Sequence, residues 1–199
     1  FFESGLIIVN VPDTTQSIEL GDISIASHQH LNSFDERSLY NTFKAAGFHT
    51  ITIQKAKVGG SLYGLASKDQ KTSYKPNLSE NAAINFSPKA NIAIEKFNQI
   101  IKSSIKKSES LGFYMPLRSF PYLATANLLD KVRLFDDINH WHLGYIDGSN
   151  TPIENFQDLT ANPVDHLFIM SLSYGEILKE KVKKELPNIK ATILKDILL

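Results

Sequence analysis

The stretch Val164-Asp165-His166-Leu167-Phe168-Ile169-Met170-Ser171-Leu172 decides the fold. It is almost continuously apolar, which is typical of a strand buried on both faces of a parallel sheet. An amphipathic segment follows at residues 175–186, and a second short apolar run, Ala191-Thr192-Ile193-Leu194, comes after it. This order of strand, helix and strand predicts a parallel β-α-β unit with helices covering the sheet.

The same alternation extends upstream through residues 111–115 and 132–135, so we predict a mostly parallel α/β domain over residues 111–199. Before it, Ala93, Phe97, Ile101 and Ile105 recur at i, i+4 spacing, which predicts a long helix with one buried face. The polar residues that precede this helix show no sustained period. Residues 69–110 are therefore predicted to be a linker followed by the long helix.

Residues 1–68 predict a separate β-α-β-β arrangement. The apolar run at residues 6–11 predicts a strand buried on both faces that ends at Pro12. A helix is expected between Ser33 and Gly47, with Ser33 or Asp35 as its N-cap and Gly47 in the left-handed conformation after its end. Residues 50–53 and 61–66 predict two more strands, and the glycines at 59 and 60 predict a hairpin or bulge between them.

Composition excludes several classes of protein. The chain has 199 residues, with 21 Lys and Arg against 21 Asp and Glu, so no basic field favours a nucleic-acid partner. No Cys is present, which excludes disulfides, thiolate metal sites and cysteine nucleophiles. No apolar run is long enough to span a bilayer, and the start at Phe1 has neither an initiator Met nor a basic region. We therefore expect an interior piece of a longer cytoplasmic protein that acts on a small molecule.

Two His-x-His pairs stand out, His28-Gln29-His30 and His140-Trp141-His142. In a strand, each pair would offer two imidazoles to a metal ion, but neither has an obvious third ligand, so we predict no metal site. The first pair lies between a predicted buried strand and a helix, where α/β sheets place functional loops. A histidine at that place suits general base chemistry, because imidazole exchanges a proton near neutral pH.

Other polar clusters allow two interpretations each. Gly59-Gly60-Ser61 invites comparison with a phosphate-binding loop, but the spacing and the lack of a following helix favour a turn. Asp136, Asp137 and Asp147 would suit a hard cation, whereas a solvated turn is the simpler interpretation.

Several segments resemble, in order and spacing, the second half of a class I S-adenosylmethionine-dependent methyltransferase: residues 5–12, 28–34, 38–39 and 45–48. Val58-Gly59-Gly60-Ser61-Leu62-Tyr63 is similar to a segment of the sugar C-methyltransferases, which methylate a carbon of a nucleotide-linked keto-deoxysugar. Those enzymes carry a Rossmann-like C-terminal domain, which residues 135–137, 151–153 and 174–177 resemble in order.

This resemblance implies a function and a set of site residues. It implies that residues 1–68 are the C-terminal half of the catalytic domain, with His30 as the general base that removes the proton α to the sugar ketone. Residues implied to contact the substrate, a nucleotide-sugar or related small molecule, are His28, Gln29, Asn32, Gly60, Ser61 and Arg118. The implied cofactor is S-adenosylmethionine, but its glycine-rich loop belongs to a first half that this sequence does not contain. We therefore expect this chain alone not to bind the donor.

Two further expectations follow. The turn after the first strand of the C-terminal domain, at residues 115–120, contains no Gly, so a dinucleotide-type pocket is expected to be lost or to use Arg118 as its anion contact. Residues 1–68, without the other half of their sheet, should expose a strand edge that pairs with another copy, another chain or the second domain. The alternative function is a catalytically inactive binding or interaction module on a degenerate methyltransferase scaffold.

Overall fold

The structure is a computed structural model, which describes residues 5–27, 32–69 and 82–199. The chain forms two compact units. Unit 1 comprises Phe1–Glu19 and Gln29–Asn85, and unit 2 comprises Leu20–His28 and Phe86–Leu199. Among the helices of the described ranges, none is long and apolar enough to cross a membrane.

Unit 1 contains a three-stranded antiparallel sheet with the strand order β1-β3-β2. Its strands and helices are β1 (Leu6–Pro12), α1 (Thr15–Leu20), α2 (Glu36–Ala45), β2 (Thr50–Lys55) and β3 (Ser61–Ser67). Because β3 is antiparallel to both of its neighbours, β1 and β2 run parallel to each other on its two sides. The core between α2 and the sheet contains Leu39, Phe43, Ile51, Ile53, Leu62 and Ala66.

Local signals in the sequence predict α2 and the turn between β2 and β3 correctly. Asp35 is the N-cap of α2 and accepts a hydrogen bond of 2.6 Å from the amide of Ser38, whose hydroxyl accepts one from the amide of Asp35 in return. Gly47 follows the helix with a φ of 82°. Gly59 and Gly60 also have positive φ, which confirms the predicted glycine turn.

The prediction that β1 is buried on both faces is wrong. Leu6 is 59% exposed and Ile8 is 69% exposed. The reason is that, within the described part of the chain, β1 lies at the edge of the sheet and pairs with β3 alone. β1 therefore presents exposed apolar side chains on a strand at the sheet edge.

Unit 2 is built on a five-stranded parallel sheet with the order β6-β5-β4-β7-β8. Its strands are β4 (Leu111–Tyr114), β5 (Arg133–Phe135), β6 (Ile153–Glu154), β7 (His166–Ile169) and β8 (Lys190–Ile193). Its helices are α3 (Phe86–Lys106), α4 (Pro116–Ala126), α5 (Phe156–Ala161), α6 (Gly175–Glu185) and α7 (Leu194–Leu198). The predicted parallel α/β architecture is therefore confirmed, and the arrangement is compatible with a Rossmann-like fold.

Apolar cores cover both faces of this sheet. Successive residues of β4 belong to different cores: Phe113 packs with Phe97 of α3 on one face, and Tyr114 packs with Phe156 on the other. The predicted buried stripe of α3 is confirmed at Ala93, Phe97 and Ile101. Ile105 is 52% exposed instead, because Ser104 takes the buried position in the last turn, where its hydroxyl lies 3.0 Å from Nδ1 of His166.

Candidate functional site

A cavity of about 360 Å³ opens in unit 2 at the carboxyl ends of the parallel strands. Three segments line it: the turn from β4 into α4, the loop after β5, and the start of α6. The lining residues are Tyr114, Met115, Leu117, Arg118, Asp136, Asp137, Ile138, Trp141, Tyr174, Ile177 and Leu178.

The order of the strands explains why a cavity forms here. After β4 the chain builds β5 and β6 on one side, and it then returns to build β7 and β8 on the other side. The connections after β4 and β7 therefore diverge, and they leave a crevice at the carboxyl edge of the sheet. Small-molecule sites of open α/β sheets are found at this kind of crevice.

A cavity is present even though the turn after β4 lacks glycine, and the expected loss of a dinucleotide-type pocket stays a prediction. The turn after β4 contains no glycine, and Met115 itself adopts the left-handed conformation, with a φ of 69°, at the N-cap of α4. The crevice persists because the reversal of strand order creates it, whereas glycine in such a turn only allows a phosphate to approach the backbone closely. Pro116 at the first helical position has no N–H, so this turn is a poor cradle for a diphosphate.

Asp136 is the most buried charged group of the lining. It follows β5 directly and is 8% exposed, and its Oδ1 accepts a hydrogen bond of 2.9 Å from the amide of Ile138. Burial raises the pKa of its carboxyl, and the neighbouring Asp137 carboxylate raises it further. The solvated turn predicted for these two aspartates is therefore wrong at Asp136. Asp137 is half exposed and forms an ion pair of 3.1 Å with Lys181.

Tyr114 contributes a buried hydroxyl group beside the Asp137 side chain. The residue is 3% exposed. Burial raises the pKa of this hydroxyl well above its usual value. Hydrogen bonding to the Asp137 side chain and the negative charge of that carboxylate raise the pKa further.

Arg118 lies in the first turn of α4, where a buried polar cluster of unit 2 supports it. Its Nη1 lies 3.4 Å from Oγ of Ser24, and the same hydroxyl donates to Oδ2 of Asp22 at 2.9 Å. Asp22 is fully buried and also accepts a hydrogen bond of 3.0 Å from the hydroxyl of Tyr122. This cluster holds the 3₁₀ turn Ile23–Ser27 against α4 and orients the side chain of Arg118.

The other predicted site residues belong to unit 1. His28, Gln29 and His30 lie outside the described residues. Asn32 is exposed in the loop before α2, while Gly60 and Ser61 form the end of the β2–β3 turn.

Asp13 joins the two predicted substrate segments at the carboxyl end of β1. Its amide donates to the carbonyl of Gly60 at 2.9 Å, and it forms a β-bridge with Phe34, two residues after Asn32. Sequence reasoning gave Asp13 no role in the site. The structure therefore brings the Asn32 loop and the Gly60 turn to the same end of β1.

The second His-x-His pair has no strand geometry. His140 lies in a 3₁₀ turn, Asn139–Trp141, and Nε2 of His142 lies 2.9 Å from Oδ2 of Asp158. Within residues 5–27, 32–69 and 82–199, no group of three or more His, Asp or Glu side chains is arranged to hold a metal ion.

The comparisons with known proteins assign no family. No family model matches the chain, and no curated protein matches it at a significant level of similarity.

Proposed function

We propose that this chain is the C-terminal, acceptor-side portion of an S-adenosylmethionine-dependent methyltransferase that methylates a carbon of a nucleotide-linked keto-deoxysugar or a related small molecule. The observation that carries the proposal is the topology of unit 1. In unit 1, β1 and β2 run parallel to each other, and β3 lies antiparallel between them. This order fits the closing strands of a methyltransferase sheet. The exposed edge of β1 is where the remaining strands of such a sheet would continue.

The arrangement at the carboxyl end of β1 supports the same proposal. Open α/β sheets bind ligands at this end of their strands. The Asn32 loop and the Gly60 turn meet there through Asp13, so two segments with a resemblance to sugar C-methyltransferases lie side by side. His30 precedes Asn32 by two residues along the chain.

The described residues do not fit the methyl donor. A nucleotide-type cofactor needs a turn whose backbone it can approach closely, and the turn after β4 offers Met115 and Pro116 instead. Unit 1 contributes the glycine turn at Gly59 and Gly60, which joins two antiparallel strands and is not followed by a helix. No step is therefore assigned to the donor within these residues.

The chemistry assigned to this chain is proton removal. The imidazole of His30 takes the proton from the carbon next to the ketone, and the electron pair of the broken C–H bond forms the enolate. Carbon methylation needs that nucleophilic enolate, and a base with a pKa near the working pH forms it most efficiently. The methyl group itself would come from S-adenosylmethionine, for which this chain's described residues supply no binding turn.

The test compares His30→Ala with His49→Ala in the product of the complete reading frame. His49 is exposed immediately before β2, which makes it a matched control. Methyl transfer should fall by about two or more orders of magnitude in His30→Ala and stay at the wild-type rate in His49→Ala. Equal rates in His30→Ala and the wild type would remove His30 from the mechanism.

A second readout separates the base from the overall reaction. In deuterated water without the methyl donor, the wild type should exchange the proton next to the ketone of the acceptor, and His30→Ala should not. Exchange at equal rates in both proteins would show that another group is the base. Binding of acceptor without exchange or methyl transfer in the wild type would favour the alternative, an inactive binding module.

A further inference from the structure

We infer that the cavity of unit 2 binds a small organic amine in its protonated form, with the ammonium group on Asp136 and the carbon skeleton against the aromatic and aliphatic wall. This inference goes beyond methyl transfer, because it depends on the cavity alone. It would stand if the chain transferred no methyl group, and its test does not measure methyl transfer.

Asp136 is a buried carboxylate that forms no ion pair with the described residues. It lines the cavity and is 8% exposed, and it accepts hydrogen bonds from the backbone amides of Ile138 and Asp137. No Lys, Arg or His of the described part of the chain lies within ion-pair distance of it, and the charge of His140 acts on it from further away. A buried charge without a partner of opposite sign is costly, so a cation that enters the cavity would be stabilised there.

The second carboxylate of the lining already has its partners. Asp137 forms an ion pair of 3.1 Å with Lys181, and its side chain is hydrogen-bonded to the hydroxyl of Tyr114. The two adjacent acids therefore differ, because the protein compensates the charge of Asp137 and leaves that of Asp136 for a ligand.

Arg118, the arginine of the lining, lies next to a different negative charge. Its Nη1 is 3.4 Å from Oγ of Ser24, and that hydroxyl donates to the fully buried carboxylate of Asp22. The guanidinium is thus engaged by the cluster below α4 and does not pair with Asp136. The uncompensated charge of the cavity is negative, which favours a cation over an anion as the ligand.

The wall of the cavity suits the carbon skeleton of an amine. Tyr114, Trp141 and Tyr174 supply aromatic rings, which attract ammonium groups electrostatically and cover apolar parts of a ligand. Ile177 and Leu178 add aliphatic surface. The cavity volume of about 360 Å³ lies within the range of roughly 300–1,000 Å³ for small-molecule sites.

A metal ion fits this cavity less well than an amine. Hard cations such as Ca²⁺ are held by about six to eight oxygen ligands. The described residues contain no group of three or more His, Asp or Glu side chains that could hold a metal ion. An ammonium group offers three N–H donors and makes charge-assisted hydrogen bonds with a single carboxylate, while its carbon skeleton uses the apolar wall.

The experiment titrates this chain with benzylamine, phenethylamine and butylamine. Each amine is compared with the alcohol of the same carbon skeleton: benzyl alcohol, 2-phenylethanol and 1-butanol. Trp141 is the single Trp of the chain and lines the cavity, so its fluorescence reports binding at this place. At least one amine should produce a saturable change, and its alcohol should bind at least about tenfold more weakly.

Two variants and one control locate the site. Asp136→Asn removes the charge and keeps an acceptor for the amide of Ile138, so it should weaken binding of the amine by about tenfold or more and leave binding of the alcohol unchanged. Asp137→Asn should weaken it less, because Lys181 compensates that carboxylate. Asp196→Asn should bind like the wild type, because Asp196 pairs with Lys179 on the surface and does not line the cavity.

Four results would overturn the inference: no amine binds, the alcohol binds as tightly as its amine, Asp136→Asn binds the amine like the wild type, or Asp137→Asn weakens binding more than Asp136→Asn does. If Asp136→Asn does not fold, the comparison of amine with alcohol on the wild type still decides. Amine binding without methyl transfer would support the inference and refute the proposed function, so the two failures are distinguishable.

Discussion

The buried imidazole of His166 makes the stability of unit 2 dependent on pH. His166 begins β7 and is fully buried, with Nδ1 3.0 Å from the hydroxyl of Ser104 and Nε2 2.8 Å from the hydroxyl of Thr192. Burial lowers the pKa of this histidine from 6.5 to about 4, and the positive charge of Lys190 contributes to the decrease. The carboxylate of Glu109, 3.5 Å from Nδ1, opposes this shift but does not cancel it.

The sign and size of the effect follow from proton linkage. Between pH 6.5 and pH 4 the unfolded chain binds a proton at His166 and the folded chain does not, so the free energy of unfolding falls as the pH falls. Above pH 6.5 the full stability is present. A difference of this size between the two pKa values corresponds to a loss of as much as about 3 kcal/mol by pH 4.

The assay is urea unfolding of the wild type, His166→Gln and Thr192→Val at intervals from pH 7.5 to pH 4. Glutamine at position 166 does not titrate, so the advantage of the wild type over this variant should shrink by about 3 kcal/mol over that range. Thr192→Val removes a hydrogen-bond partner and keeps the imidazole. It should lower stability by about 1 kcal/mol at neutral pH and keep the dependence on pH. A constant difference between wild type and His166→Gln would refute the reasoning.

Three further perturbations test the packing and the exposed edge. Gly112→Ala places a Cβ 2.8 Å from the ring of Phe135, and we expect a loss of about 1–3 kcal/mol in urea unfolding. An unchanged unfolding midpoint would contradict this close contact. Tyr122→Phe removes the donor to the buried carboxylate of Asp22, and a loss of about 2 kcal/mol is expected in the same assay, whereas a neutral effect would contradict the role of this hydrogen bond. The chain should self-associate through β1, and Ile8→Lys should shift light scattering towards the monomer; a wild-type monomer that binds no apolar dye would contradict this.

Local structure could be predicted from the sequence because neighbouring residues determine it. Asp35 and Gly47 limit α2 through hydrogen bonds and backbone conformation within a few residues of each helix end. The parallel sheet was also predictable, because strands buried on both faces have continuous apolar runs such as the one that contains β7. The same criterion failed at β1, where the pairing of strands sets exposure and the run of apolar residues does not.

The cavity could not be predicted, because it depends on the order of strands across the sheet. The missing glycine at the turn after β4 concerns only a dinucleotide-type pocket, and the reversal of strand order between β4 and β7 forms a cavity without it. Asp136 looked like part of a solvated turn, since burial at that position comes from segments distant in the chain. Its place directly after the second strand of the domain was the signal that would have identified it.

The measurement that tests the central claim most directly is mass spectrometry of nucleotide-linked keto-deoxysugars after incubation with labelled S-adenosylmethionine and the product of the complete reading frame. We expect one acceptor of a panel to gain a single labelled methyl group, and fragmentation should place it on the carbon next to the ketone. If no acceptor gains the label, or if the label is found on oxygen, the proposal of a carbon methyltransferase is wrong.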